Sequence, residues 1–502
     1  MNAEKAIIVG SGIAGLSTAL RLVRRGYEVE ILEKSSIPGG RMSLIEKDGF
    51  KFDTGPTFFS MSYEFKELAK DLDIKLPFDL LELDPLYTVW YDQPGKRYTI
   101  YKDLEKLAKE FEEVEPGFKE KMKAYLESTA KLYNDTESLI IKKNFNSFTD
   151  YATTLMKVPM GHLPKLFRTF WKEVSRYFDS NDVREIVSLV SFFLGGTPFD
   201  TPSVFTMLSY TEFVHDGYYN VNGGMYRIVE GFVKILEANG VKIHYNTEIT
   251  AVEKNGKDVK NVVDNRGKKW TADVFVINAD AALFRGEVLG RRKFSEEKLD
   301  KKRWTMAPFS MYLGINKKLP ELKMHNYFLR GNFKEYANSI YTSQASLEQA
   351  YYYVNVVSRL NTDAAPEGNE SLYILCPVPD LRFKPDWSDK EEIAASIIDD
   401  LSRRTGYDLK NSIVSKTILS PVDWKDSFNL YRGSGLGLGH NMMQMGWFRP
   451  SNRDEKYENL FYTGSSTVPG TGVPMAIISS KLVSERIEKQ YGSVLKDLHP
   501  GK

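Results

Sequence analysis

The chain has 502 residues, 42% of them hydrophobic, with 68 basic and 67 acidic side chains and one cysteine. This length corresponds to roughly two to four ordinary domains or to one large interleaved enzyme. A net charge of +1 gives no general attraction for phosphates, so a nucleic-acid binder is disfavoured. A single cysteine excludes a disulfide framework and a cysteine-rich metal site, and the apolar neighbours of Cys376 predict a buried thiol.

The beginning of the chain predicts a βαβ unit. Ala6–Val9 is a short apolar run typical of a buried strand, Leu16–Leu22 has helical spacing, and Gly26 ends that helix. Glu28–Leu32 predicts the second strand. No charged leader precedes the first strand and no run of about 18 apolar residues follows, so we expect an intracellular protein without a membrane span.

The rest of the chain alternates between helical and strand-like segments. Residues 61–150 are charged and predict mostly helix, and residues 151–220 are rich in aromatic residues. A helix is predicted near 225–239 and at Ala476–Lys489, and strands at Val241–Tyr245, Ile249–Glu253, Asp273–Asn278 and Tyr351–Val356. Glycine-rich motifs at both ends predict one nucleotide domain built from distant segments, with a second domain inserted between them.

Three glycines between the first strand and the first helix predict a dinucleotide site. Gly10 permits the tight turn, Gly12 lets phosphates approach the backbone, and Gly15 lets helix and strand pack closely. The helix N-terminus at Ile13 offers free N–H groups to an anion. Glu33, about 20 residues further on, suits a ribose hydroxyl and disfavours a 2′-phosphate. The pattern fits both NAD and FAD, and an ordinary glycine-rich turn is the alternative.

A second glycine pair follows in the segment Lys34–Met42. Gly39 and Gly40 precede Arg41, and the segment Phe52–Pro56 comes shortly afterwards. An arginine here suits a longer ligand whose pyrophosphate needs a further cation, which favours FAD. A surface turn with a solvated arginine is the alternative.

Together these motifs resemble the FAD-binding signature of the amine oxidase and carotenoid desaturase superfamily. The C-terminal part resembles most closely the bacterial phytoene desaturase family, which acts on carotenoids and includes hydroxycarotenoid 3,4-desaturases. The resemblance rests on Leu194–Pro198, Asn222–Met225, Gly433–Ser434, Gln444, Trp447–Asp454 and Asn459–Pro474. It therefore covers nearly the whole chain.

The resemblance implies a set of FAD-binding residues. The pyrophosphate would be held by Gly10, Gly12, Ile13, Ala14 and Gly15, and the adenosine ribose by Glu33 with Lys34 beside it. The path from the pyrophosphate toward the flavin would be lined by Gly40, Arg41 and Met42, and the adenine end by Ile249 and Ala279. The ribityl region would be contacted by Gly464 and Ser465, and the flavin ring by Val473, Pro474 and Met475. Many members of the wider superfamily have an acidic residue where this chain has Ser465.

The resemblance also implies the chemistry. Desaturation transfers a hydride to flavin N5 and releases a proton from the adjacent carbon. A conjugated polyene spreads cationic charge, so a strong protein base is not required, and the sequence shows neither a nucleophile–base arrangement nor a histidine spacing for a metal. Arg184 is the candidate catalytic residue, because it lies near the proposed reaction site and could steer a cation or move a proton. A surface Asp/Arg cluster is the alternative.

Two apolar stripes are candidates for the wall of a substrate tunnel or for ordinary core. They are Phe205, Tyr210, Phe213, Tyr218 and Tyr219, and Met442, Met443 and Met445. For each of the six histidines we expect a surface or a satisfied core position.

Residues 163–178 predict an amphipathic helix. Its apolar side contains Leu163, Leu166, Phe167, Phe170, Trp171, Val174, Tyr177 and Phe178, and its basic side Lys165, Arg168, Lys172 and Arg176. Such a helix lies in a membrane interface or packs on the core as a lid. In the first case, serine in place of Phe167, Phe170 and Trp171 weakens binding to liposomes.

The sequence therefore predicts an α/β flavoprotein. We expect a Rossmann-like FAD domain from residues 1–75, 220–295 and 420–502, an inserted α+β substrate domain from 76–219 and 296–419, and a helical membrane-facing lid near 151–178. The expected function is desaturation of an acyclic or hydroxylated carotenoid at the inner face of the cell membrane, with oxygen or a quinone as electron acceptor. A carotenoid isomerase, an amine or porphyrinogen oxidase, and a flavin-bearing binding protein without turnover are the alternatives.

Overall fold

The computed structural model describes residues 4–343, 347–499 and 501. The strands are β1 (Lys5–Val9), β2 (Glu28–Leu32), β3 (Leu44–Lys47), β4 (Phe50–Asp53), β5 (Leu80–Glu82), β6 (Tyr87–Trp90), β7 (Arg97–Ile100), β8 (Tyr219–Val221), β9 (Lys242–His244), β10 (Ile249–Asn255), β11 (Asp258–Asp264), β12 (Lys269–Thr271), β13 (Val274–Ile277), β14 (Ala307–Ile315), β15 (His325–Phe328), β16 (Tyr352–Val356), β17 (Glu370–Val378), β18 (Ile413–Leu419) and β19 (Leu460–Tyr462).

The α-helices are α1 (Ile13–Arg24), α2 (Tyr63–Leu72), α3 (Leu104–Phe111), α4 (Phe118–Thr136), α5 (Phe148–Leu155), α6 (Leu163–Phe167), α7 (Phe170–Val174), α8 (Asn181–Ser188), α9 (Met207–Tyr210), α10 (Tyr226–Ala238), α11 (Ala281–Gly286), α12 (Glu296–Asp300), α13 (Phe333–Ser339), α14 (Lys390–Thr405), α15 (Pro421–Phe428) and α16 (Val473–Tyr491). Two π-helical turns, Glu137–Ile141 and Thr211–His215, continue α4 and α9.

A parallel sheet in the order β19-β13-β1-β2-β9 draws its strands from the beginning, the middle and the end of the chain. These strands are short apolar runs because a parallel sheet is covered on both faces. Helices α1, α10 and α16 pack on one face, and the antiparallel sheet β10-β11-β12 covers the other. The predicted assembly of a nucleotide-type α/β sheet from distant segments therefore agrees with the observed strand order.

A second large sheet runs in the order β18-β14-β17-β16-β15-β6-β7. Its pairs are antiparallel except for β15 and β6, which are parallel. Its apolar side chains form one extended core with α3, α4, α7, α8 and α14. The two sheets are connected near Asp53, whose carboxylate accepts hydrogen bonds from the N–H groups of Met225 and Tyr226 at the start of α10.

Two expectations about secondary structure are corrected. Residues 61–150 contain the expected helices but also three strands that were not expected, because β5, β6 and β7 lie within residues 80–100 and the last two form a hairpin. Residues 163–178 do not form one helix. Arg168 and Thr169 are extended between α6 and α7, Thr169 pairs with Pro202, and its hydroxyl caps α7 at the Lys172 N–H.

In the described part of the chain, none of the helices combines the length and apolar character needed to cross a bilayer.

Candidate functional site

The glycine-rich turn between β1 and α1 leaves an exposed helix N-terminus. Gly10 has φ +97°, and a methyl group on Gly15 would lie 2.2 Å from the Gly10 carbonyl oxygen. Gly12 is the N-cap of α1, where no side chain accepts from the first N–H groups. Because these donors are unsatisfied and the helix dipole is positive at this end, the turn suits an anion such as a pyrophosphate.

Glu33 follows β2 and fixes the shape of this turn. One of its carboxylate oxygens accepts from the Ser11 N–H at 2.7 Å and from the Ser11 hydroxyl at 2.6 Å, and the other accepts from the Ser35 N–H at 2.8 Å. The side chain is 5% exposed and lines the cavity described below. An ionised carboxylate has further acceptor capacity, so Glu33 suits a ribose diol as predicted.

Among the residues that the structure describes, no carboxylate forms an ion pair with the Arg41 guanidinium. This guanidinium donates to the Gly435 carbonyl at 2.9 Å and to the Ser465 hydroxyl at 2.8 Å, and burial lowers its pKa. The neighbouring glycines allow this position, since a methyl group on Gly55 would lie 2.4 Å from the Arg41 carbonyl oxygen. Arg41 and Ser465, which are distant in the sequence, therefore act as one unit at the cavity wall.

The N-terminus of α16 supplies a second set of free donors. Gly472 is its N-cap with φ +118°, Pro474 lies in the first turn, and no side chain caps the helix. Gly464 has φ +102°, and its N–H donates to the Ser479 hydroxyl. The loop Gly464–Gly472 lines the cavity, and its three glycines, Gly464, Gly470 and Gly472, carry no side chain into it, which suits a flat ring or a polyol chain.

One continuous cavity of about 1460 Å³ contains these features. Of the predicted cofactor residues, all except Gly15 line it: Gly10, Gly12, Ile13, Ala14, Glu33, Lys34, Gly40, Arg41, Met42, Ile249, Ala279, Gly464, Ser465, Val473, Pro474 and Met475. Gly15 acts by close packing instead. The cavity exceeds the roughly 300–1000 Å³ typical of a single small-molecule pocket, so it has room for a dinucleotide and a second, elongated ligand.

Beyond the nucleotide residues, the cavity is apolar and aromatic. Its inner part is lined by Phe58, Phe193, Tyr218, Tyr327, Tyr353 and Tyr373, and its outer part by Leu155, Val158, Met160, Leu163, Trp447 and Phe448. Of the two predicted apolar stripes, Phe205, Tyr218 and Met445 contribute to the lining. Such walls suit a long hydrocarbon and not a charged metabolite.

Three further residues shape the site, although no role was predicted for them from the sequence. Asn278 donates to the Gly10 carbonyl at 3.2 Å. Asp280 caps α11 at the Leu283 N–H and accepts from the Ser466 hydroxyl. Asn278 and Asp280 flank the predicted Ala279 directly after β13. Their position at the end of a strand is the sequence feature that could have identified them as site residues.

The third is Arg449, which is 2% exposed and lines the cavity. Its guanidinium donates to five carbonyl groups, those of Leu438, Gly439, Gln444, Ser465 and Thr467. Burial lowers its pKa to about 10. Arg449 therefore ties the loop before it to the Ser465–Thr467 turn beside Arg41. It lies in the Trp447–Asp454 motif that carried the family resemblance.

Arg184 does not fit the catalytic role expected for it. Its Nε donates to the Phe178 carbonyl at 2.7 Å and its Nη1 lies 3.4 Å from Asn181. It is half-buried on α8 and is not part of the cavity lining. Both of these partners are uncharged, so the contacts do not form the surface Asp/Arg cluster of the alternative either.

The basic side expected for residues 163–178 is largely neutralised. Lys165, Arg168 and Arg176 all form ion pairs with Glu173, which is fully buried. Phe170 and Val174 are also fully buried, whereas Phe167 is 77% exposed. The segment is therefore partly packed on the core, with its exposed apolar surface concentrated before residue 168.

Cys376 and several of the histidines are buried or paired with carboxylates. Among the described residues, no group of three His, Cys, Asp or Glu side chains is placed to hold a metal ion. Cys376 is buried as predicted, and burial raises its pKa to about 12. His162 and His244 bind Asp135 and Glu30, and burial holds the pKa of His440 well below its usual value.

Comparison with known proteins agrees with this geometry. Residues 13–488 match the model of the family described as flavin containing amine oxidoreductase. A phytoene desaturase from Fusarium fujikuroi is 32% identical over 97% of this chain and 90% of its own length. A carotenoid 3,4-desaturase from Haloarcula japonica is 30% identical, covering 97% and 98%. The solved structure of wild-type putrescine oxidase bound to putrescine has a TM-score of 0.65 at 14% identity, covering 97% and 99%.

Proposed function

This chain belongs to the flavin-containing amine oxidoreductases and is an FAD-dependent oxidoreductase, and on that premise we propose that it desaturates a carotenoid. One observation carries the proposal: a single cavity joins the dinucleotide-binding residues to a long aromatic compartment. Two of the relatives are named for phytoene desaturation and for carotenoid 3,4-desaturation. Their similar identities leave the particular carotenoid and bond to experiment.

The bound cofactor supplies hydride acceptance at its N5 atom, and the protein supplies alignment and an apolar environment. The aromatic rings and aliphatic side chains of the inner cavity hold the hydrocarbon. The proton leaves the neighbouring carbon once the chain has lost its hydride. The contacts of Arg184 give it no part in either step.

We assign FAD binding to the predicted residues by the donors they offer. The N-termini of α1 and α16 face the cavity with free N–H groups, Arg41 adds a cation, and Glu33 adds a carboxylate. This donor set fits a pyrophosphate flanked by a ribose and a ring with polar edges. Lys34, Ile249 and Ala279 line the same region and are assigned to the adenosine end.

The two large sheets support the division into two domains that the sequence predicts. We propose that residues 1–75, 220–295 and 420–502 form the FAD domain and that 76–219 and 296–419 form the substrate domain. The strands of the parallel sheet come from the first set and those of the seven-stranded sheet from the second.

We propose that the outer part of the cavity opens at a membrane surface on the cytoplasmic side. The mouth surface, defined as Phe148, Leu155, Met156, Met160, Leu163, Phe167, Trp447 and Phe448, consists of apolar side chains 37–85% exposed. Several of them also line the cavity. A hydrocarbon insoluble in water reaches the cavity most directly from lipid, and such a patch on a soluble surface is otherwise unfavourable.

Expression in cells that make a panel of acyclic and hydroxylated carotenoids tests the function, with products separated by chromatography. We expect products whose absorption is shifted to the red, since each added double bond lengthens the chromophore. The matched control is Gly12→Val, because a side chain there would meet Asn278 and the phosphates.

Other outcomes distinguish the alternatives. A geometric isomer without a red shift would indicate an isomerase, and peroxide release with a polar amine would indicate an amine oxidase. Absence of flavin reduction by any carotenoid under anaerobic conditions would indicate a binding protein. Reoxidation of the reduced enzyme by oxygen or by a quinone then identifies the electron acceptor.

A further inference from the structure

Five aromatic rings form a continuous wall of the inner cavity. This aromatic wall consists of Phe58, Phe193, Tyr218, Tyr327 and Tyr353, all of which line the cavity. Ring centroids are 4.7 Å apart for Phe58 and Tyr218, 5.2 Å for Phe58 and Phe193, and 5.1 Å for Tyr327 and Tyr353. The wall is thus a packed surface of π systems and not a set of scattered core residues.

The wall adjoins the part of the cavity assigned to the cofactor. Phe58 directly follows Gly55–Thr57, and Gly55 packs against the backbone of Arg41. The Thr57 hydroxyl is hydrogen-bonded to the Tyr353 hydroxyl at 2.7 Å. Substrate carbons that lie near the cofactor therefore also lie near these rings.

The Tyr218 ring lines the cavity while its hydroxyl points away from it. That hydroxyl is buried and lies beside the carboxyl group of Glu212, which accepts from the Tyr87 hydroxyl at 3.0 Å and is 2% exposed. In the described part of the chain no lysine or arginine forms an ion pair with Glu212. The Tyr218 ring is therefore backed by oxygen atoms and not by a cation, which preserves the negative potential of its faces.

The carboxylates that line the cavity do not belong to the region of the aromatic wall. Glu33, Glu248, Asp280 and Glu287 belong to segments of the nucleotide end, and Asp454 and Glu455 are paired with Arg291. Ring faces are therefore what the inner cavity offers to a positive charge.

We propose that the aromatic wall, including the Tyr218 ring, stabilises the positive charge that develops on the carotenoid during desaturation. This inference rests on the proposed function. One C–H bond breaks and its hydrogen leaves with both electrons to the flavin, so the polyene becomes a delocalised cation. The neighbouring C–H bond then releases its proton to solvent water, and its electron pair becomes the second bond of the new double bond. Cation–π attraction is strongest while the charge is present and so favours the transition state.

Graded fluorination of the ring at position 218 tests the proposal. Phenylalanine and its mono-, di- and trifluorinated forms are placed there in turn, which weakens the π face with little change in shape. The rate of flavin bleaching by carotenoid is measured in the absence of oxygen, and carotenoid binding is measured by quenching of protein fluorescence. We expect the logarithm of the bleaching rate to fall steadily across the series, by about tenfold in total, while the binding constant and the thermal midpoint stay unchanged.

The matched control is the same series at Phe328, which neighbours Tyr327 but stacks on Trp90 and Tyr352 and does not line the cavity. The rate is expected to be flat at that position. A flat series at 218, in a protein whose flavin the carotenoid does reduce, would overturn the inference alone. If no carotenoid reduces the flavin of the unmodified protein, the proposed function fails and the inference fails with it.

Discussion

At the residue scale, the cofactor site depends on positions where a side chain has no room. The sequence predicted Gly10, Gly12 and Gly15 from their spacing, because the steric rule for this turn is local. It did not predict that Ser11 would bind Glu33 or that Arg41 would bind Ser465, since those pairs form only when separate strand ends meet. Spacing therefore identifies the backbone part of such a site, and tertiary structure adds its side-chain contacts.

Gly15→Ala is expected to abolish FAD binding. The added methyl group would lie 2.2 Å from the Gly10 carbonyl oxygen and 2.7 Å from Asn278 Nδ2, so α1 must shift away from the turn that holds the pyrophosphate. The measurement is flavin absorbance per mole of purified protein, with circular dichroism as the check on folding. Gly331→Ala is the control, because nothing lies within 4 Å of its added methyl group. Full flavin content in the Gly15 variant would contradict the packing role.

Glu212 makes stability depend on pH in a predictable direction. Burial raises its pKa from 4.5 to about 8, although the hydrogen bond from the Tyr87 hydroxyl opposes the shift. Between these values the folded protein retains a proton that the unfolded chain has released, so the free energy of unfolding falls as the pH rises. Above about pH 8 Glu212 is ionised in both the folded and the unfolded protein, so the free energy of unfolding falls no further on its account.

Glu212→Gln removes this titration and keeps the size of the side chain. We expect the variant and the parent protein to melt alike near about pH 5, where both side chains are neutral. Near about pH 9 the variant should melt a few degrees higher. The measurement is the thermal midpoint across this range. A midpoint difference that does not change with pH would show that Glu212 is ionised throughout.

At the element scale, the segment around α5, α6 and α7 shows where sequence pattern fails. The apolar and basic periodicity of residues 163–178 is real, but Thr169 pairs with Pro202 and divides the helix. Periodicity does not show that Glu173 is buried, and it is Glu173 that draws Lys165 and Arg168 inward. Two of the missed strands of residues 80–100 depend on distant partners in a similar way, since β5 pairs with β8 and β6 with β15, while β7 pairs locally with β6.

The serine test proposed from the sequence therefore needs different residues. Phe170 is fully buried, and Trp171 packs on Phe199 and Phe333, so serine there would destabilise the fold. Serine at Met156, Met160 and Phe167, which are 77–85% exposed, is expected to lower vesicle binding by about tenfold or more, since each loses about 1.5 kcal/mol of apolar burial.

Vesicle flotation measures this loss, with flavin content and thermal midpoint unchanged. The control replaces Val414, Val494 and Leu495, which are 51–67% exposed but are not part of the mouth surface. Equal flotation of the two triple variants would contradict a membrane contact at the mouth.

At the scale of the whole molecule, cofactor and substrate sites are parts of one cavity between segments that are distant in the sequence. Residues from near position 10 to near position 475 line it. The resemblance of glycine-rich motifs at both ends was enough to predict this interleaving, because such motifs meet around one ligand. The course of the cavity beyond the nucleotide residues was not predictable, because the sequence pattern of an apolar stripe is the same whether it lines a cavity or belongs to the core.

The central position of β1 in the parallel sheet has a consequence for biosynthesis. Its neighbour β13 in turn pairs with β19, which ends at Tyr462, so the sheet is incomplete until almost the entire chain has left the ribosome. At a synthesis rate of roughly 5–20 residues per second, β1 and β2 wait on the order of half a minute to a minute and a half until β19, the last strand of their sheet, has been made. Unpaired strand edges are aggregation-prone during such a delay.

Flavin acquisition should therefore be a late event in the life of the nascent chain. A ribosome-stalled chain whose last emerged residue is near 455 is expected to bind no FAD, and one in which the whole of α16 has emerged is expected to bind it. Flavin fluorescence of purified stalled complexes gives the measurement. Binding by the shorter chain would mean that the N-terminal strands form the site without β19. If the shorter chain binds no FAD, we expect chaperone capacity during translation to limit production of this protein more than the supply of riboflavin does.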